Sequence, residues 1–325
     1  MPRTFHLLSY SLSFMKVLLP LFIFLMNFNA FGAETDNFTR PVPELPDMAG
    51  VLNNLADGYV AKTLALLNAK GVCDGSLRSE KKLYSALQKY FANHTSGELV
   101  KEILKGELVK TFEIPIKESV YRDWTIWNGL VLGRSRAANS QLALAPLLKI
   151  GNQEIGSDKF EHMFGMGFRY FSGHYLEGKD LEDVLKGGMI RERLILGGNV
   201  LATGVFAFAD LSANFNGMRF WNHMLQKRDD VMGKDHNVGP YIECQDGKWV
   251  AVKGIDFREY IDASMDESIN CSTFATNSGL RRFNAAIKLI DPRNTCPMDP
   301  ALYKDMLTKY KKLSQWLINP HQNKL

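Results

Sequence analysis

The chain of 325 residues sets 39 lysines and arginines against 35 acids, a formal charge of +4, and 46% of it is hydrophobic. A chain of this size and apolar content can bury one large core, or a core domain with an appendage. Its near-neutral balance gives no electrostatic case for nucleic-acid binding, which needs a clustered basic surface; the densest basic run, KYKK at 309–312, reads as the solvated face of a C-terminal helix.

Residues 15–33, MKVLLPLFIFLMNFNAFGA, place Lys16 ahead of the apolar run Val17–Met26 and the small residues Ala30, Gly32 and Ala33. This is the three-part pattern of a secretory signal peptide, with an apolar core of about 10 residues where a spanning helix needs about 20. An uncleaved N-terminal anchor is the competing reading. Removing residues 1–33 takes away Arg3 and Lys16 and no acid, so the remainder stays near neutral. The expectation is an exported bacterial protein, periplasmic or outer-envelope associated, with no transmembrane span in its mature chain.

The rest divides into a helical N-terminal layer (34–110), a central helical core (111–238) and a C-terminal hairpin-plus-helices region (239–325) that can pack on the core as one domain. After a polar, proline-bearing leader at 34–45, Asp47 can cap a helix from Met48 to about Ala69, with Leu52, Leu55, Tyr59, Thr63 and Leu66 near one face. Further helices are expected over Glu80–Phe91 and Gly97–Lys105. FEIPI at 112–116 is extended, because Pro115 removes a donor and biases its predecessor away from helix; residues 120–133 show no clean period. LLKIGNQEIG at 147–156 reads as a β-hairpin turning at Gly151-Asn152. Ser157 is a good N-cap for a helix from Asp158 to about Leu176. A second long helix is expected over Met189–Trp221. Its stretch Leu194–Ala209 is apolar enough to suggest a membrane span, but Asn199 interrupts it and Asp210 follows, which favours a buried core helix. YIECQ and KWVAV flank Asp246-Gly247, a strong hairpin signal. Asp256 with Glu259 resembles a capping box for a short helix to Ser264, and helices over Leu280–Ile290 and Pro300–Leu317 close the chain. The expected fold class is mostly α: a helical core around two long central helices, with one or two small β-hairpins.

None of the four cysteines, Cys73, Cys244, Cys271 and Cys296, forms a C-x-x-C pair, which disfavours zinc knuckles and thioredoxin-type sites. An even count in an exported chain suggests up to two disulfides, with three connectivities open. Cys244 and Cys271 bracket one compact segment and are the leading pair; four buried thiols are the alternative.

The chemistry concentrates at EIGSDKFEH, residues 154–162. On an α-helix Asp158, His162, Gly165 and Arg169 share a narrow stripe, with Asp158 and His162 as i,i+4 neighbours and Lys159 and Glu161 turned elsewhere. The second helix repeats the pattern: Asp210 and Asn214 are i,i+4, and their stripe runs back through Thr203, Asn199 and Glu192 and on to Gly217. Two packed helices with meeting seams would bring Asp158, His162, Asp210 and Asn214 together. His162 could then act as general base with Asp158 orienting it and Asp210 as a second acid. Alternatively Asp158, His162 and Asp210 could ligate a divalent cation, with Glu154 or Glu192 completing the shell; one imidazole is few for zinc, so manganese, magnesium or calcium fits better. Lys159 and Arg169 are supporting residues. A hydrogen-bonded strut that sets helix register explains the same residues without chemistry. Trp124, Trp127, Trp221 and Trp249 are scattered and read as core.

The string GSDKFEHMFGMG resembles the D-K-x-x-H helix start of several bacterial envelope families, VanZ-like proteins among them, through Asp158, Lys159 and His162. The resemblance implies an envelope location and no particular activity; VanZ-like chains carry several membrane spans, which this chain lacks after its leader. The functional expectation is a hydrolase of a cell-envelope substrate using the Asp/His cluster. The alternative is an envelope binding or structural protein presenting a tryptophan-rich surface.

Overall fold

The computed structural model describes residues 34–40, 44–71, 73–91, 97–105 and 107–320; the expected signal peptide lies outside them. They are mostly helical, and every sheet among them has two strands. Helix α1 (Ala49–Asn68) begins where the Asp47 carboxylate accepts from the Ala49 N–H. The same oxygen accepts from Gly151 N–H, which ties the helix start to the hairpin at 147–156. The buried face of α1 runs through Leu52, Ala56, Val60, Leu64 and Leu67, whereas Leu66 is 58% exposed. The expected face is therefore rotated. Smaller side chains sit toward the core, and Asn68 at the helix end exchanges two hydrogen bonds with the Trp249 backbone. Helix α2 (Leu77–Gln88) is capped by Ser76, α3 covers Glu98–Lys105, and α4 (Leu130–Ala138) begins at the end of the stretch that carried no period.

Strands β3 (Leu147–Ile150) and β4 (Gln153–Gly156) pair antiparallel about Gly151, whose φ of +59° a side chain would oppose. Strands β6 (Ile242–Gln245) and β7 (Lys248–Ala251) pair about Asp246 and Gly247, both at positive φ as a two-residue hairpin turn demands. The other sheets join distant segments. β1 (Glu34–Thr35) runs parallel to β2 (Leu144–Ala145), and β5 (Val205–Phe206) pairs with β8 (Thr273–Phe274). The N-terminal, central and C-terminal regions are thus interleaved, and all described residues belong to one compact unit.

Two expectations about the central helices need correction. Residues 158–176 are helical throughout but not α throughout: α5 (Asp158–Glu161) and α6 (Gly167–Phe171) alternate with π turns at His162–Met166 and Ser172–Leu176. The span 189–221 is not one helix. Helix α7 (Leu181–Arg191) ends in a π turn, Glu192–Leu196, and the chain then loops through Gly197, Gly198 and Asn199 into β5. The Asn199 side chain donates to Leu194 O and accepts from Leu201 N–H, satisfying a turn in place of helix. The chain re-enters helix at α8 (Phe208–Leu225), buried from Phe208 to Met224. At the crossing of α8 with the 158–176 rod, a Cβ on Gly167 would lie 2.6 Å from Gly217 Cα, and one on Gly217 would lie 2.1 Å from Met163 O. Only glycine fits at either position. Helices α9 (Asn277–Ile290), α10 (Pro300–Tyr310) and α11 (Ser314–Leu317) complete the fold.

The cysteines pair as Cys73–Cys244 and Cys271–Cys296, with Cα separations of 5.9 and 5.8 Å, and none is free. The expected Cys244–Cys271 bridge is wrong. The β6–β7 hairpin packs on the end of α1, which brings Cys244 to Cys73 across 171 residues. Among the described residues no helix is long and apolar enough to cross a membrane.

Candidate functional site

The centre is built around Lys159, which is fully buried. Its Nζ donates to Asp158 Oδ2 at 2.7 Å, Asp210 Oδ1 at 2.6 Å and Glu267 Oε1 at 2.8 Å. The expectation that Lys159 points away from the polar seam is overturned. It considered two helices, whereas the segment Asp262–Ser272 forms a third wall and supplies Glu267. A buried ammonium survives only when paired and hydrogen-bonded, and here all three of its protons have carboxylate acceptors. Asp158 Oδ1 also accepts from Thr35 Oγ1 at 2.8 Å, and Glu267 Oε2 from Ser272 Oγ at 3.3 Å.

His162 stands at the edge of this group. Its Nδ1 lies 3.1 Å from Asn214 Oδ1 and its Nε2 lies 3.4 Å from Asp210 Oδ2. With Nδ1–H donated to the amide oxygen, Nε2 is the ring nitrogen that faces Asp210. Asn214 therefore orients the imidazole, not Asp158, whose oxygens serve Thr35 and Lys159. One donor atom each from Asp158, His162 and Asp210 nevertheless lie within 4.8 Å of one another. Oxygen or nitrogen ligands about 2.1–2.5 Å from a common ion are at most about 5 Å apart, so the three can share one cation. Residual solvent exposure is greatest at His162 and Asp210, whose side chains are 8% and 10% exposed against 0% for Lys159 and 3% for Asp158.

Two more carboxyls are buried beside this centre. Glu192, in the π turn after α7, and Glu34, in β1, both approach the position a Gly197 Cβ would take, at 3.3 Å each. Loss of hydration raises both well above the ordinary carboxyl range. The negative charges of Asp210 and Glu267 add to the rise at both. Glu267 is pushed up to about 7, first by burial and then by Asp210 and Asp158 against the pull of Lys159. Glu192 Oε2 and Ser157 Oγ are buried without a hydrogen-bond partner. The network is thus short of cations and of partners at once.

These shifts give stability a direction with pH. A carboxyl whose folded pKa is raised stabilises the fold fully below its unfolded value, near 4.5, and that contribution is lost as pH rises through the folded value. His223, lowered mainly by burial, acts the other way below about pH 6.5. Between pH 6.5 and 8.5, stability measured by urea unfolding should therefore fall, by about 1.4 kcal/mol per pH unit for each proton the cluster retains. A flat or rising profile over that window would contradict protonated Glu34, Glu192 and Glu267.

Of the other expected site residues, Glu154 is not in this group: its carboxylate pairs with Arg40 at 2.5 Å. Arg169 is exposed, because the π turn at 162–166 shifts every later residue off the α-helical stripe. Glu161 is only half-exposed and is raised to about 7 by desolvation and Asp158. Sequence reasoning missed Glu34, Thr35 and Glu267. The ETDN run at 34–37 reads as a polar leader, and nothing in it marks the burial of all four residues. A second buried network lies farther along α8, where His223 contacts Tyr260 Oη at 2.9 Å and Asp230 Oδ2 at 3.0 Å, and Arg219 pairs with Asp230. With His223 fully buried and these charges matched, it is a structural tie.

Compared with known proteins, the chain matches no family model, no curated protein and no solved structure.

Proposed function

We propose that this is an exported bacterial envelope protein that hydrolyses a cell-envelope substrate at the Asp158–His162–Asp210 centre, with a divalent cation held by those three side chains. The observation that carries the reading is the convergence of one imidazole and two carboxylate donors within 4.8 Å, among surplus buried carboxyls. Asn214 supplies the outer hydrogen bond that fixes a ligating histidine's tautomer. Manganese, magnesium or calcium suits this donor set, and such an ion would polarise a substrate oxygen and acidify a bound water. In a metal-free variant of the same chemistry, His162 Nε2 takes the proton from water and Asp210 stabilises the imidazolium. Export is supported by the two disulfides and by the leader pattern. The D-K-x-x-H helix start, like that of VanZ-like proteins, supports an envelope setting.

A second reading has its own observation. Lys159 already neutralises part of the cluster through three short ion pairs, as a strut between rods would require. Metal analysis of the purified chain, with thermal unfolding in chelator and in added Mn²⁺, Mg²⁺ or Ca²⁺, separates the two. The cation reading expects at least one ion to raise Tm by roughly 5 °C at a hundredfold excess over its Kd. His162→Ala and Asp210→Asn should remain folded and lose that response together with hydrolysis of envelope material. No bound metal, no shift, and a His162→Ala protein that unfolds would establish the strut.

A further inference from the structure

The facing surfaces of α1 and α2 leave a groove of about 960 Å³ that shares no residue with the acid centre. Lys70, Arg78, Lys81, Lys82 and Lys89 line it, and no acid does. Its floor is apolar, with Leu67, Ala86 and Tyr90, and its rim carries Leu66 and Leu77, 58% and 52% exposed. The rim therefore sets exposed leucines beside a run of cations. Arg78 and Lys82 are i,i+4 neighbours of like charge, which destabilises a helix by a few tenths of a kcal/mol.

Nearby acids offset that charge only in part, Glu177 acting on Lys81 from outside the lining. Glu80 is paired with Lys227, Asp74 accepts from Ser76, and Glu177 pairs with Lys179. Glu98 and Glu102 act on Tyr59, which stacks on Tyr90 at 5.0 Å at the groove's end. What complements five cations with two exposed leucines on the same rim is a surface anionic at headgroup level and hydrocarbon just beneath. A soluble polyanion would match the charge and leave the leucines in water. A cluster of this size on an amphipathic helix is also the pattern that anionic headgroups attract.

We propose that the α1–α2 groove docks the protein on a membrane surface rich in anionic phospholipid, with phosphates among Lys70, Arg78, Lys81, Lys82 and Lys89 and with Leu66 and Leu77 entering the acyl boundary. The disulfide at Cys73, between the two helices, would hold the groove's shape against the β6–β7 hairpin. This surface goes beyond the acid centre and does not depend on it.

The test is flotation of the purified chain with vesicles of phosphatidylcholine alone and with phosphatidylglycerol added. Binding should require the anionic lipid and weaken with salt. Lys81→Gln/Lys82→Gln/Lys89→Gln should weaken it by about 100-fold, at roughly fivefold per charge, with Tm unchanged. Leu66→Ser/Leu77→Ser should weaken it further at constant charge. The cation response at His162 should persist in both variants, so failure here leaves the centre's assignment standing. Equal binding to the two vesicle types, no effect of the lysine variant, or no effect of the leucine variant would each overturn the proposal. So would release by inorganic phosphate well beyond that caused by sodium chloride at the same ionic strength, or tighter capture by a single-stranded oligonucleotide, either of which would make the groove a soluble-anion or nucleic-acid site.

Discussion

Replacing Lys159 by methionine should destabilise the protein by about 3–5 kcal/mol at pH 8, because Asp158, Asp210 and Glu267 then lose their shared counter-ion inside the core. Methionine keeps most of the side-chain length, so the loss reports charge rather than a cavity. The pH dependence is diagnostic. Without the ammonium the three carboxyls bind protons more tightly in the folded state, so the variant should regain stability as pH falls from 8 toward 5. Urea unfolding of wild type and variant at both pH values measures this. A difference below about 1 kcal/mol at pH 8 would mean that Lys159 contributes no more than a surface pair, and the hub would have to be abandoned. Adding Glu267→Leu to Lys159→Met should recover part of the loss, since an apolar replacement removes an orphaned charge.

The second large effect concerns the long disulfide. Closing a loop across 171 residues restricts the unfolded chain by about 5 kcal/mol in the chain-entropy limit, against about 3.5 kcal/mol for the 25-residue separation of Cys271–Cys296. Cys73→Ala/Cys244→Ala should therefore lower the urea midpoint more than Cys271→Ala/Cys296→Ala. Each single cysteine variant should behave like its own double. Non-reducing peptide mapping gives the same answer directly: a peptide joining Cys244 to Cys271 would refute the pairing described above.

Local chemistry was readable from the chain where a turn or cap residue decides the geometry. Asp246-Gly247 and Gly151 do so for the two hairpins, and Asp47 at the start of α1. Asp158, His162, Asp210 and Asn214 could be picked out because their i,i+4 spacing survives within α5 into the π turn and within α8. What the spacing could not reveal is long-range. Glu267 and Thr35 reach the centre from segments more than 100 residues away from Asp158, and a two-helix picture has no place for them. Glu192 arrives beside the centre despite the broken helix, by way of a loop that Asn199 folds back on itself. Two disulfides formed as the even cysteine count suggested, but the Cys244–Cys271 pairing failed for the same reason, since nearness along the chain says little about which cysteine a packed hairpin will meet.

The π turn at His162–Met166 has a consequence for how one rod serves two tasks. Gly167 N–H donates to His162 O, five residues back, so the residue stacked one turn beyond His162 is Gly167 and not Met166. In an unbroken α-helix the glycine needed at the Gly217 contact would be out of phase with the imidazole, and one of the two would face away from α8. The extra residue resets the phase. Tight interhelical contact and the ionisable group thus lie on the same azimuth of a single helix, without either having to move for the other.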